Sequence, residues 1–102
     1  MHPTISEQRE AVAALCRHFR VKRLEVFGSA ARADFDPSSS DVDLLVQFER
    51  ETGRAALDSF MGLKEALEDL FGRPVDLVEA TAVRNPYLRA DIERSRELLY
   101  AA

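Results

Sequence analysis

The apolar positions of the chain recur at two periods. Ile5, Val12, Leu15, Cys16 and Phe19 fall on one face of a helix predicted over residues 4–18, and Thr4 and Glu7 have the spacing of a capping box at its start. After the basic turn "RVKR", residues 24–27 read as a short strand ending at Gly28-Ser29, where the serine suits the cap of a short helix over residues 29–34. "DFDPSSS" has proline and serines without periodicity and is expected to be a loop, followed by a second strand over residues 41–49 and a turn at "RETGR". Leu57, Phe60, Met61, Leu67, Leu70 and Phe71 then mark a helix over residues 55–71, stopped by Gly72 and Arg73-Pro74. "PVDLVEA" reads as a third, short strand. Asn85-Pro86 opens a closing helix whose stripe is Leu88, Ile92 and Leu99, running through Tyr100. The order implies an α/β (α+β) fold, a small mixed sheet of about three strands with helices packed on it.

The second strand holds a conflict. Alternation sends Val42, Leu44, Val46 and Phe48 to one side and Asp41 and Asp43 together to the other. Two carboxylates so close resist joint ionisation unless a cation lies between them, and hard divalent ions with oxygen ligands, magnesium above all, relieve that repulsion. A third acid, Asp76, interrupts the apolar strand between Val75 and Leu77. If the two strands are neighbours, three carboxylates converge at one edge of the sheet. Upstream, Gly28 permits close backbone approach, and Ser29 at a helix start offers a hydroxyl and backbone N–H groups to an anion. Arg32 stands within reach of the same phosphates, although a surface charge is an equal reading of it. The plainer alternative makes Asp41 a cap, Asp43 a solvent-facing residue and Asp76 an ion-pair partner.

Composition narrows the partners. The 102 residues are 46% hydrophobic, enough for a core in one domain spanning residues 1–102. Fourteen basic against eighteen acidic side chains give a formal charge of −4, which disfavours a long polyanion, so no direct nucleic-acid binding is expected. Without a signal-peptide pattern or an apolar run of spanning length, no membrane association is expected and a cytoplasmic location is. Cys16 reads as a small core residue, His2 as part of a frayed terminus, and His18 has no second ligand at metal spacing. Arg17, Arg20, Lys22 and Arg23 complement a helix dipole, and Asp34 and Asp36 read as turn residues before Pro37.

"GSAAR", then "SDVDLLV", then a later strand acid in "PVDLV" resemble the minimal nucleotidyltransferases of the DNA polymerase beta superfamily, and the tail "RNPYLRADIERSRELLYA" extends the likeness over nearly the whole chain. The resemblance implies that fold, with Gly28, Ser29 and Arg32 binding the nucleotide and Asp41, Asp43 and Asp76 as catalytic, metal-binding acids for two magnesium ions. Ala33 stands where the family often has glycine. The subgroup includes antitoxins that adenylylate a HEPN-domain ribonuclease toxin on tyrosine, so the resemblance implies ATP as the AMP donor and a HEPN toxin as partner. A chain this short lacks the extra domains with which polymerases and antibiotic-modifying relatives grip an acceptor, which favours a protein-borne hydroxyl. Two alternatives stand beside it: an antitoxin that only covers its toxin, with Tyr87, Leu88 and Leu99 as the exposed apolar candidates, and, ranking last, transfer to a small molecule.

Overall fold

The computed structural model describes residues 1–32, 36, 41–49 and 53–102; the readings for residues 33–35, 37–40 and 50–52 lie outside them. The single first helix of the sequence reading is divided in two, α1 (Pro3–Ser6) and α2 (Arg9–His18). The Thr4–Glu7 box does not form. Instead His2 Nδ1 accepts the Thr4 N–H at 3.1 Å, and Pro3 fills the first helical position where a missing N–H costs nothing. His2 is also not frayed, because its own N–H donates to Ala30 O at 2.9 Å. The predicted apolar face stands, with Ile5, Val12 and Cys16 buried and Leu15 and Phe19 packed against them.

Strand β1 (Val21–Phe27) starts earlier than predicted, and a 3₁₀ turn (Gly28–Ala30) follows it. Ser29 is inside that turn rather than its cap, which is Phe27. Then come β2 (Val42–Phe48), α3 (Gly53–Phe71), β3 (Val75–Glu79), a second 3₁₀ turn (Ala80–Ala82), α4 (Pro86–Ser95) and β4 (Glu97–Ala101). Gly72 stops α3 as expected, in the left-handed region at φ 65° with its N–H on Glu68 O at 2.8 Å. Asn85 caps α4 as expected, its Oδ1 accepting from the N–H groups of Tyr87 at 2.8 Å and Leu88 at 3.3 Å.

The closing helix does not run to Tyr100. It ends at Ser95, and the last segment pairs antiparallel with β1, Glu25 opposite Leu98 and Leu24 opposite Tyr100. Leu99 is thus a core residue of a strand, 3% exposed, and not an exposed one of a helix. Its glutamate and leucines favour a helix locally; pairing along the open edge of β1 overrides that preference. Among the described residues the sheet has four strands, one more than predicted, in the order β3-β2-β1-β4. Among the described strands only β2 and β3 are parallel, and α3 is the crossover between them.

One sheet face carries Leu24, Val26, Val42, Leu44, Val46, Val75, Leu77 and Leu99 into the main core with residues of α1, α2 and α3. On α3 the buried line is Leu63, Leu67 and Phe71, so Leu57 and Met61, read from sequence as part of the stripe, stand 60% and 46% exposed. The other face carries a smaller cluster, Phe27 and Leu45 with Val83 and Ile92, under α4. It also carries Glu25, buried and held by Arg96 at 2.7 and 2.6 Å and by Arg23 at 3.0 Å.

Candidate active site

β1 ends where β2 begins, and this antiparallel pairing sets Phe27 opposite Asp43. On the other side of β2 the parallel pairing sets Asp43 level with Asp76. Residues level in adjacent strands share a face, so these two carboxylates stand side by side, and Asp41, immediately before β2, is near enough for its charge to act on Asp43. Asp41 and Asp76 are exposed and Asp43 is half-buried. The structure therefore gathers the three predicted acids at one end of the sheet.

The glycine-serine corner belongs to the same end. Gly28 has φ 68°, and a Cβ built on it would overlap Asp43 Oδ2. The backbone conformation calls for glycine here, and any larger residue would also make the Asp43 carboxylate turn aside. Its N–H is not available to a ligand: it donates to Ser95 Oγ at 2.9 Å, and Ser95 Oγ in turn donates to Asp91 O at 2.7 Å. Arg32 Nη1 donates to Asp91 Oδ1 at 3.0 Å, so the predicted phosphate-binding arginine is held beside the corner by α4. Sequence reasoning missed Asp91 and Ser95. An aspartate and a serine on an amphipathic helix give no sign of partners some 60 positions away.

The electrostatics follow from this crowding. Burial pushes the Asp43 carboxyl up to about 6, helped by the negative charges of Asp76, Asp41 and Asp91 and opposed by Arg32. Among the described residues no three His, Cys, Asp or Glu side chains already close into a metal cage. The donor set nevertheless fits a hard divalent cation: three carboxylates, no nitrogen or sulfur, and a mutual repulsion that bound positive charge would relieve. The other titratable candidates have plain roles. Burial pushes the Cys16 thiol up to about 12, which leaves it protonated and inert. His18 packs edge-on against Phe19, ring centroids 4.8 Å apart. Of the apolar residues proposed for a partner, Tyr87 is 85% exposed and Leu88 half-buried against the smaller cluster, whereas Leu99 is interior.

The family model described as the nucleotidyltransferase domain matches residues 8–99. The chain belongs to the nucleotidyltransferase domain family. It is therefore an enzyme of the nucleotidyl-transfer class, and the acids and corner just described lie within the matched segment. A relative from Methanocaldococcus jannaschii, named a "putative protein adenylyltransferase", is 33% identical over 101 residues, 95% of this nucleotidyltransferase and 97% of the relative. A solved structure described as a "putative minimal nucleotidyltransferase" superposes with a TM-score of 0.74 at 39% identity, covering 92% of this chain and 91% of that one. A second, the MNT antitoxin in complex with a tri-AMPylated HEPN toxin from Shewanella oneidensis, shares the fold with a TM-score of 0.65 at 16% identity, over 94% of this chain and 71% of that one. Within the described residues no helix of the nucleotidyltransferase is long and apolar enough to cross a membrane.

Proposed function

We propose that this nucleotidyltransferase is a cytoplasmic antitoxin that transfers AMP from ATP to a tyrosine of a partner HEPN-domain ribonuclease, residues 1–102 acting as one minimal unit. The observation that supports the reading is the parallel register of Asp43 with Asp76, with the Gly28 corner against Asp43 at the same end of the sheet. The names of the relative and of the AMPylated complex support the donor and the acceptor class.

Asp41, Asp43 and Asp76 would hold magnesium, which when bound supplies charge neutralisation at the α-phosphate and on the departing pyrophosphate. The tyrosine oxygen attacks the α-phosphorus, a P–O bond forms, and the bond to the β-phosphate oxygen breaks. Asp76, exposed at the edge strand, accepts the tyrosine proton as general base. With the Gly28 N–H committed to Ser95, the terminal phosphates would meet the Ser29 hydroxyl and the next amides of the turn, with Arg32 alongside.

The test is incubation with the partner, ATP and magnesium, read by intact-protein mass. AMP-sized increments on the partner, abolished by Asp41→Asn with Asp43→Asn, are expected; a partner left unmodified by native enzyme refutes the reading. The exposure of Tyr87 favours one second reading, neutralisation by binding alone. Full protection of cells by the double variant would select it.

A further inference from the structure

We propose that Ser95, at the end of α4, is a positioning residue for nucleotide binding: its hydroxyl holds the Gly28 corner against Asp43. The inference rests on reading Gly28 and Ser29 as the phosphate-holding element. Ser95 and Glu25 are the buried polar residues among those described, and Glu25 is accounted for by its two arginines. Ser95 faces Gly28 across 67 positions of sequence. Because its proton goes to the carbonyl of Asp91, an oxygen lone pair is what it presents to the Gly28 N–H, so the pair of bonds has a fixed direction.

The same helix turn grips the corner on its other side, since the side chain of Asp91 holds Arg32. α4 thus clasps the segment from Gly28 to Arg32 before and after Ser29. The clasp matters because the corner lies directly against an acid: the space beside Gly28 that a Cβ would take is occupied by the Asp43 carboxylate oxygen. Any drift of the corner changes either the room left for Asp43 or the place of Ser29. Misplacements near 1 Å are enough to degrade such sites.

The experiment measures ATP binding with magnesium by calorimetry, which needs no acceptor, on the native protein, Ser95→Ala and Ser95→Thr. Each is assayed below its unfolding midpoint, with folding confirmed by circular dichroism. Ser95→Ala strips a buried N–H of its acceptor and is expected to weaken ATP binding about tenfold. Ser95→Thr keeps the hydroxyl and is expected to restore most of that affinity. If Ser95→Ala melts earlier but binds ATP as the native protein does, the serine only supports the fold and the proposal is overturned; if threonine folds yet binds no better than alanine, the hydroxyl is not the cause, with the same result. Should threonine not fold, the alanine affinity alone decides. A native protein that binds no ATP overturns the proposed AMP transfer from ATP as well, which separates the two failures.

Discussion

Gly28→Ala places one methyl group where two separate costs meet, and the structure supplies comparators that separate them. A left-handed backbone costs a residue with a Cβ about 1–2 kcal/mol. Gly53 at φ 61° and Gly72 at φ 65° share that conformation, and a Cβ at either would have nothing within 4 Å. Alanine at Gly53 or Gly72 is therefore expected to cost only the backbone term, lowering the thermal midpoint by about 5–15 °C for a domain of this size. At Gly28 the methyl group also displaces the Asp43 carboxylate, the end of a half-buried side chain that must turn aside, at about 0.5–1.5 kcal/mol more. Asp43→Ala removes the overlapping atom, so in that background Gly28→Ala should fall to the cost of the comparators, a coupling of about 0.5–1.5 kcal/mol in a double-mutant cycle. Urea unfolding followed by circular dichroism measures all five variants. Transfer activity of Gly28→Ala should fall about a hundredfold, because an acid proposed to hold the metal has moved, while Gly53→Ala keeps its activity. The reasoning fails if Gly28→Ala is no less stable than the comparators and shows no coupling to Asp43.

Asp43 and Glu25 should bend the stability curve in opposite directions. With Asp43 raised to about 6, its contribution in a chelating buffer is fully present below the unfolded value near 4 and lost as pH rises through 6; Asp43→Asn should abolish that decline and melt above the native protein at pH 8. Glu25 is held below the usual carboxylate range, chiefly by the Arg96 hydrogen bond, with burial opposing and Arg23 assisting. Its contribution is present above the unfolded carboxylate value and lost as pH falls through the folded one. Glu25→Gln should cost about 1–3 kcal/mol at pH 7 and progressively less toward acid, read from thermal midpoints. The Cys16 thiol, buried and raised, should resist a disulfide reagent at pH 8 in the folded protein and react at once in urea; prompt native labelling would contradict its place in the core.

The parts of this molecule that could be read from sequence are those governed by short periods. Alternation alone puts Asp41 and Asp43 opposite Val42, Leu44 and Val46, and the buried valines and leucine agree. Asp76 stood out for the same reason, as a charge within an apolar strand, although only pairing could make it a neighbour of Asp43. What was missed depends on partners remote in sequence. β4 is written in residues that favour a helix, and only the open edge of β1 makes it a strand. On α3 the stripe of Phe60, Leu67, Leu70 and Phe71 does face the core, but periodicity adds the exposed Leu57 and Met61 and leaves out the buried Leu63. His2 was read as frayed because its bond to Ala30 lies 28 positions along the chain, and Ser95 carries no local mark of its bond to Gly28.

The parallel pairing of β2 with β3 makes single-codon changes unequal along the gene. Losing or gaining one residue just before β3 would bring Leu77 or Val75 level with Asp43, setting a hydrocarbon among carboxylates and dropping an acid into oil. The helix that joins the two strands bears no such constraint at its exposed beginning, where its chain can lengthen or shorten without altering which atoms meet at the far end of the sheet.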